Sequence, residues 1–524
     1  MRKVLIALSM LGCGTTAGAE WYQASGRHFV VYADDSPERI KAYAARLERF
    51  DRAVRVLHGT SDDDNRGDAS RVTVFVVDDL AAVRRLAYSN NVAGFWQPRT
   101  LPVAFMPRNI AEGGDRGFTP QAVMFHEYTH HWMLTNWTDA AFPAWYTEGA
   151  AELHATAIMR PDGSVVFGAV PLYRSFGVNL KNQLPVSRLL RAVPGSALSP
   201  EQTAALYGRG WLLTHYLTFD AQRRAQLADY ITAINSGKTI DQAATMLGDT
   251  SGLDLKLDSY GKRPMLPSIT ITADELKTGE ITVRKLSPGE GAAMPLRIRS
   301  TAGVNKTTAS ATAAAARRLA ASYPNDAAVL NQLAEAEYDN ASLGPAADAA
   351  AGYARADVAA ALALAADPKS VHAMMYRGMA AEALAVADKK TDAATWTGVR
   401  RWYLAANRAD TESPEPLLAF YNSFEAAKQT PTAGAEKGLL YAYALAPHDT
   451  GARFAATKVL LRQGQVKAAR AAIAPVAYRA DAEGGNALRK VLVAIDDGGA
   501  TAALAEIKRQ EDAAEAKRGE PKKN

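Results

Sequence analysis

Two short stretches hold side chains that could do chemistry together. The first is Phe125-His126-Glu127-Tyr128-Thr129-His130, an H-E-x-x-H pattern. The second is Trp145-Tyr146-Thr147-Glu148-Gly149-Ala150-Ala151-Glu152. His126 and His130 stand at i and i+4, so on a helix both imidazoles project from one face and can share one metal ion. Glu127 lies at the edge of that face, where a carboxylate can reach a metal-bound water. A catalytic zinc takes three protein ligands and keeps its fourth position for water, so a third ligand is expected on a separate element. Glu148 supplies it. Glu152 follows one turn later on the same face, placed to accept the N–H of a ligand imidazole and fix its tautomer. The expected set is one Zn2+ per chain on His126, His130 and Glu148, with Glu127 as the base and Glu152 behind the ligands.

The flanking residues supply the elements that must position this set. Thr119 is a good helix N-cap and Pro120 suits the first helical position. Ala122 to Leu134 contains no glycine or proline. Pro143 can open a second helix, which puts Glu148 in its second turn, and Gly149 lets that helix approach another backbone closely.

HEYTH followed by WYTEGAAE resembles the gluzincin metallopeptidases, the clan of thermolysin and the zinc aminopeptidases. The likeness is specific over residues 119–154 and looser over 20–260. The gap between His130 and Glu148 holds 17 residues, slightly short of the clan's spacing. The resemblance implies an α+β zinc-metallopeptidase domain, a mixed sheet lobe followed by a helical lobe that carries the HExxH helix. It further implies that a cleft-bordering strand pairs with extended substrate. Val103-Ala104-Phe105 is the candidate, with an ordinary interior strand as the other reading. It also implies an oxyanion donor, a Tyr or His of the helical lobe. Tyr207 is the first choice and His215 and Tyr216 come behind it, against the plainer reading of each as core. The G-x-M-E-N-type motif of the aminopeptidases is missing, which favours an endopeptidase. His131, rotated about 100° from His130 on a helix, is expected to pack rather than ligate.

The length of 524 residues predicts two or more domains. Charged residues make up 22% and hydrophobic ones 48%, ordinary values for a globular protein. The balance of 60 basic to 55 acidic side chains is spread thinly, with no long basic run, which argues against a nucleic-acid partner. Arg2 and Lys3, the apolar run Val4–Leu11 and Ala17-Gly18-Ala19 read as a signal peptide over 1–19, hence an exported protein, periplasmic or secreted. Lipidation at Cys13 is the alternative; Met10 stands where such signals carry leucine. No later stretch reads as long and apolar enough for a transmembrane helix.

In chain order, His28–Tyr32, Arg71–Val77, Ala93–Trp96 and Leu101–Met106 read as strands, and Pro37–His58 and Leu80–Tyr88 as helices. Val165–Phe167 suggests a short strand. Ala204–Phe219 and Gln226–Leu247 read as helices, the latter closed by Gly248. Residues 261–305 read as a small β-rich connector. From 306 to 511 the chain is alanine-rich and helical, with breaks at Tyr323–Asp326, Asp367–Ser370, Thr411–Pro414 and Ala446–Asp449. That spacing resembles tetratricopeptide repeats, a helical solenoid able to recruit a substrate or protein partner. Residues 512–524 read as a charged, disordered tail.

Together these features predict a zinc-dependent peptidase acting on peptide or protein substrates. A competing reading is an inactive metal-binding scaffold of the cell envelope that works through its repeats. Hydrolysis of a non-peptide amide is a third.

Overall fold

The computed structural model describes residues 20–62, 67–109, 118–192, 198–478 and 485–519. The stretch 1–19, with the expected export signal and Cys13, lies outside the described residues. Among the described residues the chain is a mixed α+β region followed by a long run of helices.

The strands are β1 (Trp21–Ser25), β2 (Phe29–Asp34), β3 (Val72–Val77), β4 (Phe95–Gln97), β5 (Val103–Pro107), β6 (Ile158–Met159), β7 (Val165–Phe167), β8 (Ile269–Ile271) and β9 (Thr282–Lys285). Six of them form one sheet in the order β4-β5-β3-β2-β1-β9, and β6-β7-β8 form a second. At the centre of the first sheet β2, β3 and β5 run parallel, with Val31 opposite Val74 and Phe75 opposite Phe105. Helix α1 (Pro37–His58) links β2 to β3, and α2 (Leu80–Ala87) follows β3. Phe29, Val31, Val72, Val74, Ala104 and Met106 pack to one side, against α1 and α3 (Pro120–Asn136). Val30, Tyr32, Phe75, Val77, Val103 and Phe105 pack to the other, with Val83 of α2. Burial on both faces explains why β3 reads VTVFVV with no regular polar alternation.

This order decides between the two readings of Val103-Ala104-Phe105 in favour of the interior strand and removes it as an edge that could pair with substrate. β5 lies between β3 and β4, its ladder bonds are taken on both sides, and the edge belongs to β4.

Helix α3 is followed by α4 (Ala144–Ala155), the short α5 (Ser175–Val178) and α6 (Val186–Leu189), then α7 (Pro200–Phe219), α8 (Ala221–Asn235), α9 (Ile240–Ala244) and α10 (Thr250–Gly261). Gly248 does end a helical segment, at φ 81°, but the expected Gln226–Leu247 helix is broken after Asn235. Residues 261–305 form no separate module. β8 joins β7, β9 joins β1, and Ile271, Leu276 and Ile281 enter the main core. Pro295–Ile298, within the connector expected to be β-rich, lies inside helix α11 (Pro288–Ala302). That helix starts on a capping box of Ser287 with Glu290, and Met294 and Ile298 cover the second face of the sheet.

After α12 (Ala309–Ser322) come α13 (Ala327–Leu343) and α14 (Ala346–Ala366), α15 (Val371–Ala387) and α16 (Ala393–Ala409), α17 (Pro414–Ala426) and α18 (Ala433–Leu445), α19 (Thr450–Arg462) and α20 (Val466–Ala477), then α21 (Gly485–Gly519), kinked at Gly499. The four breaks read from sequence each fall just before the first helix of a pair. Asp326, Ser370 and Asp449 cap those helices with their side chains. The array does not project away. Leu460, Ile473, Val491 and Ile507 share the core of the metal region, Arg453 Nη2 donates to Leu134 O at 3.3 Å, and Arg470 Nη1 donates to Asn235 O at 3.0 Å.

Two expectations are corrected here. The segment 512–519, read as a disordered tail, continues α21; its Ala, Glu and Lys residues favour helix and Lys508 pairs with Asp512 at 3.2 Å. α14, Ala346–Ala366, is long and apolar enough to cross a membrane by length and composition, with a mean hydropathy of 1.2. Its apolarity comes from alanine methyls rather than large side chains, and it packs beside α13 and α15 with 28% of that window buried.

Candidate metal centre

Thr119 caps α3, its hydroxyl accepting from Ala122 N, with Pro120 at the first helical position. The helix is held rigidly on its far side. Phe125 stacks on Phe50 with centroids 3.6 Å apart, and Tyr128 donates to Asp51 at 2.6 Å. Helix α4 opens at Pro143 and carries Glu148 in its second turn. Gly149 sets how close α4 comes to α7: a Cβ there would stand 2.4 Å from Gly210 O and run into Thr214 Oγ1. That close approach is the role read for it from the sequence.

The result brings the three expected ligands together. Ligand atoms of His126, His130 and Glu148 all lie within 4.8 Å of one another, so the group could hold a metal ion. His126 Nε2 stands 3.3 Å from His130 Nε2, and Glu148 Oε2 stands 3.4 Å from the first and 3.7 Å from the second. Glu148 is 3% exposed, and its Oε2 accepts no hydrogen bond among the described residues. A buried carboxylate oxygen left without a hydrogen bond is costly; a cation at this point would satisfy it. Two imidazoles and a carboxylate are a donor set that suits a borderline divalent ion.

Charge favours the same conclusion. Burial opposes a charged imidazole, yet the carboxylates of Glu148 and Glu152 push His126 up to about 10. The pocket thus draws positive charge, and a divalent ion would take the place of that proton. Glu152, fully buried, stands 3.3 Å from His126 Nδ1, where it can fix the tautomer as expected. Burial works against its ionisation, but His126 and Arg174 hold it down at about 2.

Tyr173 and Arg174 escaped the sequence reading. Tyr173 Oη donates to Glu152 at 2.8 Å; Arg174 donates from Nε at 2.9 Å and pairs through Nη2 at 2.7 Å. They come from a single 3₁₀ turn, Leu172–Arg174, before α5, too short for any periodicity to mark them. The one available sign was Gly177 with Gly208. A Cβ on Gly208 would lie 2.5 Å from Gly177 C, so these two glycines let the turn lie flat against α7.

Tyr207 lies beside the ligands, its ring 6.1 Å from that of His126 and under the Arg174 guanidinium at 4.6 Å. The charge of Glu148, then burial, pushes its phenol well above the ordinary value, so it stays a proton donor. Glu127 is half-buried on the same helix as the two imidazoles. The two aromatics placed behind Tyr207 are elsewhere. His215 is buried between Tyr260 Oη at 2.8 Å and Gly168 O at 3.1 Å, and Tyr216 packs on Tyr260. His131 packs between Trp96, Tyr128 and His448, as its rotation predicted.

A scan against family models found no match to this chain, and a search of curated proteins found no relative.

Proposed function

We propose that the protein is an exported zinc-dependent peptidase, gluzincin-like in its first region and tetratricopeptide-like in its second. The observation that carries this reading is the convergence of His126, His130 and Glu148 on one point, with Glu127 beside them. When bound to these three residues, zinc would polarise the amide carbonyl and acidify water at neutral pH.

The chain's own groups account for the rest. Glu127 accepts a proton from the water that attacks the carbonyl carbon, then gives it to the leaving nitrogen as the C–N bond breaks. The products are a carboxylic acid and an amine. Tyr207, kept protonated by the charge of Glu148, donates to the carbonyl oxygen as negative charge builds there. Glu152 holds the Nδ1–H of His126, so Nε2 keeps its lone pair for the metal. Tyr173 and Arg174 hold Glu152 in turn. A pure metal-binding scaffold would have no use for Glu127, which favours the hydrolase over that reading.

The test is cleavage of a peptide library by purified protein, with elemental analysis of bound metal. We expect about one zinc per chain, cleavage within the peptides rather than at their ends, and loss of cleavage with a chelator. Glu127→Gln should keep the metal and lose roughly 10²- to 10⁴-fold in turnover. Parent-like cleavage by that variant would remove Glu127 from its role.

A further inference from the structure

On the face of the sheet away from α3, the helical array curves over β3, β5 and α11 and lines an open-sided chamber of about 1280 Å³. The proposed peptidase reading leaves it without a task. Five carboxylate residues line it, Glu290, Glu335, Glu382, Glu415 and Asp449, against two arginines, Arg99 and Arg297. Some are engaged: Glu290 pairs with Arg284 at 2.8 Å, Glu382 accepts from Tyr403 at 2.7 Å and Asp449 accepts from Thr100 at 3.0 Å.

Glu335 and Glu415 are different. Glu335 accepts from Gln332 Nε2 at 3.2 Å and lies 3.6 Å from His372 Nε2, but burial pushes His372 down to about 4 and keeps it neutral. Burial pushes Glu335, Asp339 and Glu415 up to about 7, and Arg99 and Arg297 do not offset it. Glu335 and Glu415 are therefore about half ionised near neutral pH, and a cation brought into the chamber would complete their ionisation. A second observation is independent of their charge. Gln332 lines the chamber at 7% exposure, and its Oε1 accepts no hydrogen bond among the described residues. An acceptor of this kind calls for an N–H donor. Tyr338, Tyr353 and Tyr376 add aromatic faces, with Tyr338 centred 5.2 Å and 5.6 Å from the other two. Such faces attract ammonium and guanidinium groups.

We propose that the chamber docks a lysine- or arginine-bearing polypeptide segment, gripped by carboxylates of α13, α15 and α17. Charge complementarity selects a cation. Size selects a chain over a small amine, because the volume exceeds the roughly 300–1000 Å³ of small-ligand pockets. The acidic groups are also spread over three helices, which suits several cations in a row.

The experiment is fluorescence anisotropy of full-length protein with labelled oligolysine, and with labelled oligoglutamate as the control. Saturable binding of oligolysine alone, weakened by added salt, is expected. The double variant Glu335→Gln/Glu415→Gln should weaken binding about tenfold or more. Ala383→Trp, which fills the chamber from α15, should weaken it similarly while circular dichroism stays that of the parent. Absent saturation, or parent-like binding by both variants, overturns the proposal. Displacement of oligolysine by spermine at equal charge concentration overturns the choice of a polypeptide. The readout needs no turnover, so it stands or falls apart from the hydrolase reading.

Discussion

At the metal centre Glu152 is fully buried, yet His126, Tyr173 and Arg174 surround it and its carboxyl is held at about 2. In the chamber Glu335 and Glu415 are also largely buried, but nothing comparable surrounds them and both are pushed to about 7. The same side chain thus serves opposite ends. Around Glu152 the buried charge is fixed by opposite ones, which holds that carboxylate in place before any ligand arrives. Around Glu335 and Glu415 the carboxyls are about half protonated near neutral pH, and an incoming cation would draw them into the charged form. The difference follows from composition. The first region packs large aromatics around its polar groups, such as Trp132, Trp145 and Trp211, whereas the array packs alanine on alanine and leaves space.

The comparison can be broken most severely at the ligands. His126→Ala should reduce zinc from about one per chain to near none, read by elemental analysis, while chamber binding of oligolysine persists. Gly149→Leu should come next. Its Cβ would run into Thr214 and Gly210, so α4 must move. We expect a loss of roughly 3 kcal/mol or more, from the denaturation midpoint, with metal lost as well. Arg174→Ala tests whether the rigidity of Glu152 matters. Metal affinity should fall roughly 10- to 100-fold, read by competition with a chelator, with the fold retained.

A fourth prediction concerns pH. His28 lies between Glu48 at 2.8 Å and Asp62 at 3.1 Å. Burial opposes its charge, but Asp51, Asp62 and Glu48 together push it up to about 9. The folded chain therefore keeps a proton that the unfolded chain releases above about 6.5. This contribution is full below that pH and is lost as pH rises through about 9. The unfolding midpoint should decline between those values, and His28→Gln should flatten the decline. The smallest effect is expected at the seam between the regions. Thr100→Ala removes a hydrogen bond to Asp449 and should cost about 1 kcal/mol.

Much of the metal centre could be read from the chain because its signals are local. The i, i+4 imidazoles, the Thr119 cap and the glutamate one helix later depend on a few neighbouring residues. Gly149 was legible for the same reason. Tyr173 and Arg174 were not, since one 3₁₀ turn is too short to show a period and only the fold brings it to Glu152. β1 was also missed, because WYQAS gives too short a run, and the choice between edge and interior for β5 stayed open because strand order is a long-range property. In the array, the four breaks read from the sequence each carry a proline. The breaks inside the pairs were passed over: Asp388–Asp392 looks like polar surface, and so does Ala427–Thr432 despite its Pro431. The chamber had no sequence signal at all: Glu335 and Glu415 are ordinary helix residues until the array curves.

The return of the final helices onto the core of α3 has one more implication. Arg453 must find Leu134 O and Arg470 must find Asn235 O, closures of more than 200 residues that should make folding slow. Once made, they tie the array and the region of α3 into one cooperative block. Removing α21 should not trim an optional appendage; it should lower the melting temperature of the whole molecule, the helices of His126, His130 and Glu148 included.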